Sequence, residues 1–169
     1  IGKWVLDTAC AQLKAWERDP RTQSLQMSVN VSARQFHQPD FVDTVRDSLT
    51  SSGINPARLK LELTESVVLD NVDVVVSRMQ QLNALGVSFC LDDFGTGYSS
   101  MSYLKQFPVQ ELKIDRSFIS GTPHDRTDAA IVRAVRQRAV CRALVVQRKL
   151  PGFERHLDRL RFVDATQFL

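Results

Sequence analysis

Four short apolar runs recur at intervals of about 20 to 35 residues, and each leads into polar residues at its C-terminal end. Leu25–Val31 alternates toward Ser32. Leu59–Leu63 ends in Thr64-Glu65-Ser66, Val87–Leu91 in Asp92-Asp93, and Val109–Ile114 carries Lys113 near its end. Between the runs lie stretches with helical periodicity. Ile1–Glu17 reads as a helix with Trp4, Val5, Thr8, Ala9 and Leu13 on one side, ended by Asp19-Pro20. Phe41–Leu49 follows Pro39 and stops near Gly53. Val72–Leu85 is closed by Gly86. Ser99 or Ser100 is placed to cap a short helix, Met101–Phe107, and residues from Thr127 to about Val146 read as helix. This rhythm demands a parallel sheet with crossover helices. An open doubly wound sheet and a closed barrel both satisfy it. The first strand is followed by no glycine-rich dinucleotide turn, which weighs against the doubly wound option.

At 169 residues the chain is long enough for one domain with a real core. Its longest apolar runs fall far short of the ~18 residues a membrane span needs. Lys3 and Asp7 break any signal-peptide layout at the start. Cys10, Cys90 and Cys141 are odd in number and far apart, which fits reduced thiols in a cytoplasmic protein rather than a disulfide scaffold. The first residue is Ile, so the chain reads as a piece of a longer protein. Charge is uneven along it. Residues 1–135 hold 14 basic and 16 acidic side chains; residues 136–169 hold 8 and 3. A basic end can attract phosphates. Without interleaved aromatics or a nucleic-acid motif, a solvated helix face is the simpler reading, and nucleic acid is not an expected partner.

The polar strand ends carry the chemistry. In a parallel α/β fold the C-terminal ends of the strands share one face, where ligands bind. Asn30, Glu62, Asp92 and Lys113 can therefore converge although they span 84 positions. Each has an ordinary explanation when taken alone: Asn30 as a turn or cap residue, Asp92-Asp93 as part of a turn before Gly95-Thr96-Gly97, Lys113 as an edge lysine. Glu62 is harder to dismiss, because a charge inside an apolar run is costly without a partner. Together, carboxylates and an amide oxygen are hard ligands suited to Mg²⁺ or Mn²⁺. Adjacent aspartates call for a cation or a shared proton. Two metals about 4 Å apart can activate water and stabilise the leaving oxygen of a phosphodiester. Lys113 could orient that water, offset phosphoryl charge, or form a Schiff base. His37, His124 and His156 show no metal-ligand spacing. On the residues alone the reading is metal-dependent phosphoryl or carbonyl chemistry.

Four strings in order then resemble the EAL domain family of bacterial cyclic-di-GMP phosphodiesterases. They are Ser28-Val29-Asn30-Val31-Ser32, Glu62-Leu63-Thr64-Glu65-Ser66, Asp92-Asp93-Phe94-Gly95-Thr96-Gly97-Tyr98-Ser99-Ser100 and Leu112-Lys113-Ile114-Asp115. The resemblance covers roughly residues 1–135 and implies a TIM-like barrel with one strand antiparallel to the rest. It implies that Asn30, Glu62, Asp92 and Asp93 serve a two-metal site holding Mg²⁺ or Mn²⁺, and that Lys113 holds the attacking water. Lys113, Asp92 and Asp93 are thus the expected catalytic residues. Glu65 matches the anchor of the loop that starts at Phe94 and runs through Gly95, Thr96 and Gly97. That loop couples metal, substrate and dimerisation in the family. The implied reaction opens cyclic-di-GMP to linear pGpG. A homodimer, GGDEF or sensor domains in the parent chain, and a cytoplasmic location, with the parent free to be membrane-tethered, complete the expectation.

The departures define a second expectation. The glutamate of the name-giving Glu-Ala-Leu motif and the later Glu-Gly-Val-Glu string are both absent from the 169 residues. A barrel typically needs about 250 residues. The chain is therefore expected to be a partial TIM-like (β/α) barrel, about strands three to six, with an incomplete metal site. Residues 1–135 form its central part. Residues 136–169 are expected to be a divergent or frameshifted helical tail, with a replacement strand at Leu144–Val146 as the alternative. An intact source reading frame with no near-frame Glu-Gly-Val-Glu would exclude the frameshift. The alternative function is an inactive module for cyclic-di-GMP binding or dimerisation.

Overall fold

The computed structural model describes residues 2–69, 71–94, 106–114 and 143–146. Its centre is a five-stranded sheet in the order β1 (Met27–Val31), β2 (Leu59–Thr64), β3 (Ser88–Phe94), β4 (Glu111–Ile114) and β5 (Ala143–Val146). Every adjacent pair is parallel. Spatial order equals sequence order, with no reversal of winding. A doubly wound sheet reverses its winding at a switch point, so the strand order itself selects the barrel-type (β/α) arrangement. The fold is a partial TIM-like barrel.

The helices are α1 (Gly2–Trp16), α2 (Ala33–Phe36), α3 (Phe41–Ser52), α4 (Glu65–Leu69) and α5 (Val72–Ala84), with a 3₁₀ turn at Pro56–Arg58. In α1 the buried stripe is Leu6, Ala9, Cys10 and Leu13, at helical spacing. The expected face was only partly right: Ala9 and Leu13 are buried, but Trp4 is 69% exposed, and Thr8 turns its hydroxyl back onto the Trp4 carbonyl at 2.7 Å. Leu6 and Cys10 complete the apolar stripe that Trp4 and Thr8 would interrupt. Helix α3 buries Phe41, Val42, Val45 and Leu49, and Gly53 ends it with φ +60°, a left-handed conformation that costs glycine little. Helix α5 buries Val75, Met79 and Leu82.

The sheet sorts its residues by parity. Val29, Val31, Leu59, Leu61, Leu63, Phe89, Leu91 and Leu112 are buried in the helix-side core. Each fully buried leucine or phenylalanine contributes about 1.5–3 kcal/mol relative to exposure. The alternate residues, Ser28, Asn30, Lys60, Glu62, Ser88, Cys90, Asp92, Glu111 and Lys113, occupy the opposite face.

The termini of the elements differ from expectation in two further places. Residues 143–146 form β5, hydrogen-bonded to β4, which matches the alternative strand at Leu144–Val146 and not the helical reading that ran to about Val146. The run Ala143-Leu144-Val145-Val146 is β-branched and apolar enough to join an open strand, so pairing overrides a weak helical period. The third apolar run extends through Asp92 and Asp93 to Phe94. Of the expected helix Met101–Phe107, residues 101–105 lie outside the described residues, as do Gly95, Thr96 and Gly97 and the segment 115–142.

Candidate active site

The alternation Leu59-Lys60-Leu61-Glu62-Leu63 sends three leucines into the helix-side core, so Lys60 and Glu62 must take the other face. There Glu62 is 6% exposed. Asn30 is its direct register partner on β1, and Cys90 its partner on β3. Asp92 lies one layer further toward the C-terminal ends, opposite Thr64, and is equally buried. Four of the expected site residues, Asn30, Glu62, Asp92 and Lys113, thus share one face of the sheet. Asn30 is solvent-exposed at the β1 end of the row.

Lys113 is the centre of the arrangement. Its Nζ donates to Glu62 Oε1 at 2.5 Å and lies 3.9 Å from Asp92 Oδ2. Its side chain is 14% exposed. Burial alone would pull the ammonium's pKa down. The hydrogen bond and charge of Glu62, with Asp92 adding to them, outweigh burial and hold it above its ordinary value. A Schiff-base role needs a neutral amine, and this environment opposes it.

Between Leu91 and Phe94 the β3–β4 register shifts, so that Asp92 and Asp93 together oppose Lys113. This is a β-bulge, a device that re-aims side chains and is common beside active sites. The backbone of two consecutive aspartates is thereby set opposite one lysine at the strand ends. Glu65, the expected loop anchor, begins α4 and is 3% exposed. An acidic residue in the first turn of a helix also meets favourable backbone N–H dipoles. Phe94 closes β3.

Two charged residues of this face were not anticipated. Lys60 Nζ donates to Glu111 Oε2 at 2.5 Å, one layer below the Lys113–Glu62 contact. Their signal was present in the sequence: charged residues alternating with leucines inside strands, in Lys60-Leu61-Glu62 and Glu111-Leu112-Lys113. Cys90, between these pairs on β3, is fully buried, and burial is the main reason its thiol pKa is pushed far up. Cys10 and Cys90 are both free. A concavity of about 480 Å³ lies between α1 and α3, lined by Lys3, Asp7, Lys14 and Ser48 among others, away from the strand ends.

The strand-end donors can be tested against a metal. Glu62, Asp92 and the Asn30 amide offer oxygens, the donor type of hard divalent cations. Two buried carboxylates gathered around one ammonium also leave excess negative charge for a cation to balance. The set therefore fits in kind. Among the described residues no cluster of three or more His, Cys, Asp or Glu is placed to hold an ion by itself.

Similarity to known proteins follows the same lines. The sequence profile described as "EAL domain" matches residues 1–147. A bifunctional diguanylate cyclase/cyclic di-GMP phosphodiesterase of Pseudomonas aeruginosa, MucR, is 47% identical over 135 residues, which is 80% of this chain and 20% of that protein. An uncharacterized protein of Sinorhizobium fredii, y4lL, is 40% identical over 168 residues, 99% of this chain and 19% of that protein. The chain thus spans about a fifth of the length of these relatives. Among solved structures, the MucR phosphodiesterase in complex with cyclic-di-GMP superposes with a TM-score of 0.75 at 43% identity, over 86% of this chain and 59% of that one.

Proposed function

The chain belongs to the EAL domain family, and we propose that it is a cyclic-di-GMP phosphodiesterase domain that opens the cyclic dinucleotide to linear pGpG. The observation that carries this reading is the contact of Lys113 with Glu62 and Asp92 on the face where the strands end. Phosphodiesterases of this family depend on a metal. Asn30, Glu62, Asp92 and Asp93 are the residues we assign to hold it, with Mg²⁺ or Mn²⁺ the ions that suit their oxygens. When bound, the metal supplies charge neutralisation and an acidified water. The chain's own part is positioning. Lys113 brings a fixed positive charge to the strand ends, where it can hold the attacking water and offset charge gathering on the phosphoryl oxygens. Glu65 is the residue we assign to anchor the segment that begins at Phe94, Gly95, Thr96 and Gly97. We further propose a homodimer in the cytoplasm, with GGDEF or sensory domains elsewhere in the parent protein. Among the described residues no helix is long and apolar enough to cross a membrane.

A second reading has its own support. Glu62, one of the residues assigned to the metal, is already engaged by Lys113 at 2.5 Å. That pairing would suit a module that binds cyclic-di-GMP without cleaving it. One experiment separates the readings: calorimetric titration of Mn²⁺ and then cyclic-di-GMP into the 169-residue chain, with pGpG followed by chromatography in the same samples. Binding with pGpG formation is expected for the phosphodiesterase. Binding without product supports the receptor reading, and no binding of either ligand overturns both.

A further inference from the structure

Two Lys–Glu bridges cross β3 in opposite senses. Lys60 of β2 reaches Glu111 of β4, and Lys113 of β4 reaches Glu62 of β2, each at 2.5 Å. Lys60 and Glu62 are two residues apart on one strand, and Glu111 and Lys113 two apart on another. The four charges therefore mark the corners of a slanted parallelogram with alternating signs, with Glu62 and Glu111 level with Cys90 on either side of it, and both Glu111 and Lys113 act on the thiol. Same-face neighbours along a strand are about 6.6 Å apart at Cα, well within the reach of a lysine and a glutamate side chain. Each corner thus has two candidate partners, one across β3 and one along its own strand. All four side chains are 6–14% exposed. At that burial a charge that loses its partner is strongly destabilised and will take the nearest opposite charge.

We propose that Lys60 is a positioning residue for Lys113. By holding Glu111 at the floor of the site, it keeps that carboxylate from capturing the Lys113 ammonium two residues away. Lys113 is then left to Glu62 and Asp92. The inference deepens the assignment of Lys113 as the site's cation and rests on it, but its principal test needs no turnover.

The test is lysine side-chain NMR of the full chain, ¹³Cε and ¹⁵Nζ, with the Lys113 signal identified by its loss in Lys113→Arg. In Lys60→Met the Lys113 ammonium resonance moves as Glu111 takes it over. In the double variant Lys60→Met/Glu111→Leu, which removes both charges, it returns to the native position. A resonance that stays put in folded Lys60→Met overturns the proposal, as does one that moves and is not restored by the second substitution. Should Lys60→Met fail to fold, Glu111→Gln reads the four-charge array from another corner. Lys60 then turns to Glu62, and Lys113 must again shift; an unmoved signal overturns the proposal. Turnover of cyclic-di-GMP adds a second readout, with kcat lower by about 10- to 100-fold in Lys60→Met, KM unchanged, and recovery in the double variant. If no pGpG forms with any variant, the phosphodiesterase reading fails while the NMR result still judges this one.

Discussion

The two faces of the sheet are built from alternate residues of the same strands, yet they obey opposite rules. On the helix side Leu59, Leu61, Leu63, Phe89, Leu91 and Leu112 are all fully buried and carry no polar side chain. On the other side Lys60, Glu62 and Asp92 are almost as well buried, and their company is charge. The first face is held by area removed from water, a non-directional force that tolerates exchange among apolar residues of similar volume. The second is held by pairing, where every partner matters and a missing one leaves a buried ion. Stability resides mainly in the first face, and the second holds its buried ions by pairing them.

Adjacent residues of β2 offer the strongest way to break that contrast. Leu61→Ala should cost about 2–5 kcal/mol of unfolding free energy in a denaturant titration. It should leave Mn²⁺ affinity per folded molecule unchanged, and a loss of affinity would mean that the faces are not separable. Glu62→Gln should do the reverse. Gln keeps an oxygen for Lys113 and Asp92 keeps a charge nearby, so the melting temperature should move less than in Leu61→Ala. Mn²⁺ affinity by calorimetry should fall by at least about 100-fold.

Arg58 sharpens the comparison from outside the sheet. It is a buried charge with no carboxylate at hydrogen-bond distance among the described residues, Glu17 standing at 3.7 Å. Instead it donates to the carbonyls of Leu25, Leu13 and Thr22 at 3.0–3.3 Å. Arg58→Met should destabilise by about 2–3 kcal/mol, because buried carbonyls lose their donor. The effect should be seen in chemical denaturation without any change in ligand binding.

Alkaline pH tests the charged face most gently. Burial raises the Cys90 thiol, so the folded chain keeps a proton that the unfolded chain releases from about pH 9 upward. Lys113 is also held above its ordinary value, so its contribution is complete below about pH 10.4 and is lost as pH rises through the folded value. Both act in the same direction, and stability should decline from about pH 9. Cys90→Ala should cost about 1 kcal/mol at neutral pH, for the small void it leaves. It should also delay the onset of the decline, as measured by melting temperature across pH 7–11.

Much of this was legible in the chain of residues. The first four strands announced themselves because each apolar run is bounded by turn chemistry, and α3 and α5 because Gly53 and Gly86 mark where they stop. The convergence of Asn30, Glu62, Asp92 and Lys113 followed from parallel topology alone. Helices α2 and α4 were missed because four or five residues cannot display a 3.6-residue period. The only local cue to α2 was its capping box, Ser32 with Gln35. Lys60 and Glu111 were missed for another reason. A lysine at a strand position usually reads as an edge or a solvated residue, and only the pairing of β2 with β3 and β3 with β4 shows that each has a buried partner two strands away. The bulge at Asp92-Asp93 was also hidden, since register is a property of two strands.

The strictly sequential strand order has a consequence for how the molecule is made. Among the described residues each strand bonds to its neighbours in sequence order, so the sheet can grow by accretion, from short-range contacts, while the chain leaves the ribosome. The helix-side leucines can bury themselves at every stage of that growth. The two bridges over β3 cannot, because both need β4. Until Glu111 and Lys113 arrive, Lys60 and Glu62 must stay hydrated, and their closing over Cys90 expels that water late, as the bolt drawn on a sheet already assembled.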